Sequence, residues 1–244
     1  MRMTPFGHCV QLTFFPRLFP VNCYIVREDD GITLVDTGIS ASVRDIRQAV
    51  GSMDLPVVRI LLTHAHGDHV GGLDLLREVW PAAEVLISAR DARLLRGDTT
   101  LDPGEPQSRI RGGVKPCRTT PTRLLQAGDR VGSLEVVASP GHTPGHMAFL
   151  DTRDRSLLAG DAFQTRSGVA VAGTVMPGFP FPAWATWHKP TALQTARELH
   201  RLRPSWLAVG HGDVLLDPLY AMERAIAEAE RRLSRMEQRL KGTV

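Results

Sequence analysis

The chain has 244 residues, 43% of them hydrophobic and 23% charged, with a formal charge of +3. That balance is ordinary for a folded globular protein, and too weakly basic to call for a nucleic-acid or membrane partner. Three scattered cysteines, Cys9, Cys23 and Cys117, form no CxxC pair and read as reduced core thiols of a cytoplasmic protein. No apolar run reaches the roughly 18 residues of a membrane span. Residues 1–26 show no charged-then-apolar leader pattern. No linker, internal repeat or low-complexity tract divides the chain, so one domain over 1–244 is expected.

In chain order, residues 10–15, 22–26 and 32–35 read as strands, broken by Pro16, Pro20 and the Asp29-Asp30-Gly31 turn;. The third strand ends in Asp36-Thr37-Gly38. Asp36 reads either as an ordinary turn residue or as an acceptor for the outer N–H of a metal-binding histidine. Ser40 or Ser42 can cap a helix to Val50, with Val43, Ile46 and Val50 on one face. Residues 57–62 form a short apolar run that reads as a buried strand.

That strand leads into Thr63-His64-Ala65-His66-Gly67-Asp68-His69-Val70-Gly71-Gly72. Four ligand-type side chains fall within six residues. In an extended turn His64 and His66 point to one side, and Asp68 and His69 reach the next position along. Imidazole and carboxylate donors at this spacing suit zinc, and also iron or manganese. A helix is expected to begin at the glycines, because Leu73, Leu76 and Trp80 recur at near-helical spacing.

Residues 84–88 read as a further strand, and Ser88 as the cap of a helix over 89–96. Residues 97–122 are rich in Gly and Pro and carry Arg109, Arg111, Lys115 and Arg118. So long a structureless segment reads as a lid or as an irregular surface excursion. Strand-like alternation resumes at 124–125, 130–131 and 134–138. It ends in Ser139-Pro140-Gly141-His142-Thr143-Pro144-Gly145-His146, where Gly and Pro aim His142 as a ligand and His146 is left as a supporting residue. Strands at 156–159 and 207–209 end in Gly160-Asp161 and Gly210-His211. Strand, tight turn, then ligand-type residue recurs along the chain.

His64-Ala65-His66-Gly67-Asp68-His69, followed by His142, Asp161 and His211, resembles the ligand set of the metallo-β-lactamase superfamily in order and approximate spacing. The resemblance spans most of the chain, from Asp36 to His211. It implies an α/β (α+β) four-layer αββα sandwich with the site at one edge between two sheets. It implies two divalent metal ions, with zinc expected and manganese or iron as alternatives. His64, His66 and His142 would hold the first. Asp68, His69 and His211 would hold the second, and Asp161 would bridge them. Asp68 and Asp161 are the expected catalytic residues, around a hydroxide shared by the metals.

Among the branches, the glyoxalase II and lactonase-like enzymes share all seven residues. The expected activity is therefore hydrolysis of a small ester, lactone or thioester. The tyrosine typical of quorum lactonases has no obvious counterpart, since Tyr24 and Tyr220 both lie far from the ligands in sequence. Three alternatives stand beside this reading: a mononuclear-iron persulfide dioxygenase, a phosphodiesterase or nuclease, and a non-catalytic metal-stabilised interaction module.

Residues 175–187 are proline-broken and aromatic. Phe179, Phe181, Trp184 and Trp187 are expected to line an apolar substrate pocket, with His188 as a possible proton donor; the competing reading has these aromatics plugging the core. Pro190 opens a helix to about 203. Asp217-Pro218 opens a last helix to about 241. On it Leu219, Met222, Ile226, Ala229, Leu233, Met236 and Leu240 form a heptad stripe, which packs on the domain or makes a homodimer. A small-molecule substrate is the expected partner, with no nucleic acid and no membrane.

Overall fold

The computed structural model describes residues 1–241, with side chains as far as Arg239. The first half builds a seven-stranded sheet in chain order. Its strands are β1 (Arg2–Phe6), β2 (Cys9–Phe14), β3 (Val21–Glu28), β4 (Gly31–Val35), β5 (Val57–Leu61), β6 (Glu84–Ser88) and β7 (Arg123–Leu125). β1 to β4 are antiparallel neighbours joined by short turns. From β4 to β7 the pairing is parallel, which requires crossovers. These are α1 (Val43–Gly51), then α2 (Gly67–Val70) with α3 (Leu73–Val79), then α4 (Ala89–Leu95) with the long irregular segment that follows it.

The second half supplies β8 (Arg130–Val131), β9 (Leu134–Ala138), β10 (Met147–Asp151) and β11 (Ser156–Leu158). A small ribbon of β12 (Phe163–Gln164) and β13 (Ala170–Val171) follows, then α5 (Phe181–Ala185), α6 (Lys189–Arg201), β14 (Trp206–Ala208), β15 (Leu215–Leu216) and α7 (Leu219–Lys241). The second sheet is six-stranded, in the order β15-β14-β11-β10-β9-β8.

Side-chain alternation divides the core into three slabs. On β3, Cys23 and Ile25 join Ile46, Leu73, Leu76 and Leu94 in one cluster under α1, α3 and α4. Tyr24 and Val26 point the other way, into a slab shared with Leu134, Val136, Phe149 and Leu158 of the second sheet. On β10, Phe149 enters this middle slab, while Ala148 and Leu150 pack with Leu193 and Leu199 of α6 and Met222 and Ile226 of α7. Period-two alternation thus gives each sheet one face for its partner sheet and one for helices. The result is the four-layer αββα sandwich.

The strands that carry the ligand-type residues, β4 and β5 in one sheet and β9, β11 and β14 in the other, all deliver their carboxyl ends to one edge. A backbone bond across that edge, Met147 N–H to the Thr63 carbonyl at 2.9 Å, joins the two sheets there.

Several local expectations change. β1 is an additional strand, pairing with β2 from Arg2 to Phe6. The helix expected at Gly71-Gly72 is preceded by a separate turn of helix, α2, which carries Asp68 and His69. Neither Ser40 nor Ser42 caps α1 with its side chain; Ser40 instead donates to the Gly71 carbonyl. Residues 175–187 are not wholly irregular, because Phe181 to Ala185 close one short helix. The α7 stripe is buried at Met222, Ile226 and Ala229 and half-buried at Leu233, but Met236 is exposed, so the packing on the domain runs as far as Leu233. The side chain of Leu240 lies outside the described residues.

Candidate metal centre

Five histidines and two aspartates meet at the sheet edge. Every one of the five imidazoles has an outer nitrogen committed to an acceptor. His211 Nδ1 lies 2.6 Å from the Pro20 carbonyl and His66 Nε2 lies 2.9 Å from the Arg111 carbonyl. Carbonyls only accept, so both nitrogens carry the proton. His69 Nδ1 donates to Asp36 Oδ2 at 2.8 Å. The Thr186 hydroxyl donates to the Pro182 carbonyl, so it accepts from His142 Nδ1. The Thr63 hydroxyl donates to Asp36 Oδ2 and accepts from His64 Nδ1 in the same way.

In the neutral ring, the form that binds metal, the proton on the outer nitrogen leaves the inner nitrogen with a lone pair. Four rings present Nε2 and His66 presents Nδ1. These lone pairs converge: His66 Nδ1 is 2.9 Å from His142 Nε2. Buried His64 Nε2, His69 Nε2 and Asp161 Oδ1 have no hydrogen-bond partner at all. Orphaned buried donors and acceptors are costly, and a cation satisfies all of them together. The donors fall into groups within 4.8 Å, among them His64–His66–His142 and Asp68–His69–His211. The Asp161 carboxylate sits between them, 3.2 Å from His142 Nε2 by one oxygen, 3.2 Å from His211 Nε2 by the same oxygen, and 3.5 Å from His69 Nε2 by the other. Nitrogen and oxygen donors without thiolate fit divalent zinc, iron or manganese.

The electrostatics of the two groups differ. Burial pushes His64 and His142 well below the ordinary imidazole range, and lowers His66 as well. Burial opposes charge on His69 and His211 too, but the Asp161 and Asp68 carboxylates outweigh it. His69 is lifted to about 9 and His211 well above its usual value. Burial works upward on Asp68 and Asp161, and the facing histidines overcome it, holding both acids below the usual carboxylate range. His146 is kept neutral by burial, at about 3. Its Nε2 accepts from the Asp161 backbone N–H at 3.0 Å, and its Nδ1 meets the Ser139 hydroxyl at 2.8 Å.

The profile of the metallo-beta-lactamase superfamily matches residues 16–211. The chain belongs to the metallo-β-lactamase superfamily. YobT of Bacillus subtilis (strain 168) is 52% identical over 232 residues, which cover 95% of this chain and all of that one. An acyl-coenzyme A thioesterase of Gallus gallus is 31% identical over 62% of this chain and 61% of its own. The crystal structure of TTHA1623 in a di-iron-bound form superposes with a TM-score of 0.64 at 26% identity, covering 86% of this chain and 96% of that one. With probable metallo-hydrolases also among its relatives, this superfamily member is a metallo-hydrolase with a His/Asp metal-binding cluster.

A cleft of about 230 Å³ opens over the cluster, lined by Phe19, His66, Asp68, Gly113, His142, Asp161, Phe181, Pro182, Ala185 and His211. Of the five expected pocket residues, Phe181 lines this cleft and is half-exposed. Phe179 is buried behind it, stacked on His211 with ring centres 5.4 Å apart. Trp184 is exposed at the rim, 5.8 Å from Phe181. Trp187 does not line the cleft: it is buried, and its indole N–H donates to the Ser108 carbonyl. His188 does not line the cleft either. Its Nδ1 caps α6, accepting from the Thr191 N–H. Both corrections have one cause: α5 turns the chain between 181 and 185, so Phe181, Pro182 and Ala185 face the cleft and the residues beyond the helix do not.

Asp36 is the carboxylate behind the cluster. It adopts φ 61°, a strained geometry for a residue with a side chain. The strain aims it at three donors: the Thr63 N–H, the Thr63 hydroxyl and His69 Nδ1.

Four features add to the sequence reading, one of them inside the segment 97–122 expected as a lid or a surface excursion. Phe19 reaches the cleft from the loop after β2 and lies 5.3 Å from the His211 ring. Tyr24 is remote in sequence but donates to the Val209 carbonyl at 2.6 Å, beside His211. Its hydroxyl, with Asn22 and Gln11, anchors the His211 loop rather than facing substrate. Residues 108–117 form a strap over His66, with Gly67 N–H on the Gly113 carbonyl at 2.8 Å. A side chain on Gly112 would run into the His66 ring, and its φ of +83° also favours glycine;. The fourth is Asp91, buried beneath the cluster.

Proposed function

We propose that this chain, folded as one domain, is a dinuclear metal-dependent hydrolase of small thioesters, with esters and lactones as the neighbouring substrate classes. His64, His66 and His142 would hold one ion, Asp68, His69 and His211 the other, with Asp161 shared; zinc is the ion proposed. The observation that carries the reading is the convergence of the inner nitrogens of five imidazoles with two carboxylates, every outer nitrogen already committed. When bound, the ions would acidify a water for attack and polarise the scissile carbonyl.

The chain's own residues do the rest. Asp68 is the one carboxylate of the cluster that is partly exposed and lines the cleft, which places it to accept and relay a proton during attack. Phe19, Phe181, Pro182 and Ala185 offer an apolar wall for an acyl group;. On the strap, Arg109, Arg111 and Lys115 are exposed and have no carboxylate partner among the described residues. They favour an anionic leaving group. Among the described residues no tyrosine lines the cleft, which weighs against a lactonase. The name of the Gallus gallus relative points the same way.

The test is metal-loaded protein against a glutathione thioester, a coenzyme A thioester, a neutral aryl ester, a lactone and a phosphodiester, with Asp161→Ala alongside. Metal-dependent thioester cleavage that falls about 10³-fold in the variant is expected, on the scale of losing a main electrostatic contact to the transition state. Phosphodiester cleavage alone would overturn the reading. One tightly held iron with oxygen uptake on a persulfide would replace it with a dioxygenase.

A further inference from the structure

Asp91 belongs to neither metal group, yet its carboxylate touches the backbone of both loops that carry the three-histidine group. It sits in the first turn of α4 and is fully buried. Oδ2 accepts from the Ala65 N–H at 3.0 Å and from the Thr143 hydroxyl at 2.7 Å. Oδ1 accepts from the Gly145 N–H at 2.7 Å. Ala65 separates His64 from His66, and Thr143 follows His142. The first loop hangs from the first sheet and the second loop from the second sheet.

The site is built to measure. The Asp91 N–H donates to the Ser88 hydroxyl, which caps the helix and fixes where the carboxylate stands. At Gly145 a side-chain carbon would lie 2.5 Å from the Asp91 nitrogen and 2.6 Å from Oδ1. Only glycine lets the second loop come this close. Among the described residues, no other carboxylate accepts from the backbone N–H groups of both loops. Asp36, by contrast, holds His69 and, through Thr63, His64; it makes no bond to the His142 loop.

We propose that Asp91 is a positioning residue for one half of the metal centre: it sets the register of His66 against His142, and so controls metal affinity at the three-histidine group and not at the Asp68–His69–His211 group. This rests on the ligand assignment proposed above. A neutral amide cannot take its place. Turned either way, the NH₂ of asparagine would face a backbone N–H, of Ala65 or of Gly145, and donors do not pair with donors. Partners that orient a metal-binding side chain commonly carry 10- to 100-fold in metal affinity.

The test uses full-length protein and Co²⁺ alone as the probe, read by its visible absorption and by equilibrium dialysis. His211→Ala leaves the three-histidine group, and His142→Ala leaves the other. Asp91→Asn is placed in each background. Co²⁺ affinity is expected to fall at least tenfold in the His211→Ala background, with a changed absorption envelope, and to stay within twofold in the His142→Ala background. Equal losses in both would mean general destabilisation and overturn the proposal, as would no loss in either. If Asp91→Asn does not fold, Thr143→Val removes one of the three bonds in the same two backgrounds, with a smaller loss in the same direction expected. Parent variants that bind no Co²⁺ would overturn the ligand assignment, and this inference with it; parents that bind one ion each, with an Asp91 effect absent, would overturn this inference alone.

Discussion

The two halves of the metal centre are made of different material. His64, His66 and His142 form a group of neutral donors, held neutral by burial. The other group mixes two imidazoles with the Asp68 carboxylate, and Asp161 faces both groups. There, carboxylates lift the histidines and histidines lower the carboxylates. A cation entering the first group meets lone pairs alone, whereas a cation entering the second displaces protons that already balance the acids. Their supports differ as well. Asp91 and the Arg111 carbonyl hold the first group. Pro20, just before β3, and Gln11, Asn22 and Tyr24 of the first sheet hold the His211 loop of the second. A site that looks symmetric in its ligand count is therefore asymmetric in charge and in scaffolding.

The sharpest way to break that comparison is to remove one ligand from each side. His142→Ala and His211→Ala should each retain about one ion per chain by elemental analysis, and each should lose about 10²- to 10³-fold in kcat, since the pair of ions acts together. Loss of both ions in either variant would mean the halves are not separable.

A pH series sharpens it further. Histidines must be neutral to bind metal. His69 is raised to about 9, so it holds its proton at neutral pH in metal-free protein. Affinity measured in the His142→Ala variant should climb as pH rises from about 6.5 through about 9, with protons released on binding, since His69 and His211 are both raised. The His211→Ala variant should be flat above neutrality, because its three histidines titrate below their ordinary range. The same sign applies to stability. The contribution of charged His69 to the chelated protein is fully present below about pH 6.5 and is lost as pH rises through about 9, visible as a falling Tm. Parallel affinity profiles for the two variants would contradict the assigned charge difference.

The smallest effect is expected at the cleft wall. Phe181 is half-exposed and covers the cleft from the side of His211. Phe181→Ala should raise KM for a long-chain acyl thioester about three- to tenfold and leave kcat within twofold, the scale of losing part of an apolar contact. An unchanged KM across acyl chain lengths would remove the wall from the substrate's path.

Much of the architecture was legible in advance. Residues 22–26 and 32–35 were legible as strands, but so uniformly apolar a run does not say which side chain faces which layer; the fold assigns Cys23 and Ile25 to the helix-covered slab and Tyr24 and Val26 to the middle one. Ser88 was legible as a helix cap and accepts from the Asp91 N–H. Less legible was the segment after Asp161, where α5 sends Trp187 and His188 into supporting bonds. Composition marks such residues as aromatic or basic, but only the turn of the chain sets which way they face.

The ligand-type residues themselves are a property of the sequence. Their spacing follows from period-two turns and from strands that end in glycine, and both are local. What stands behind them is not local. Asp91 reads in the sequence as a common acidic residue in a helix's first turn, and Tyr24 as a strand residue far from any ligand. Each acquires its role because sheet packing brings distant segments together: Asp91 under two loops from different sheets, and Tyr24 against the carbonyl beside His211. Donor chemistry is written in short stretches of chain. The protonation of those donors, their division into a neutral and an acidic group, and the bonds that hold each ring in place depend on burial and on partners tens to nearly two hundred residues away. Only the folded structure decides them.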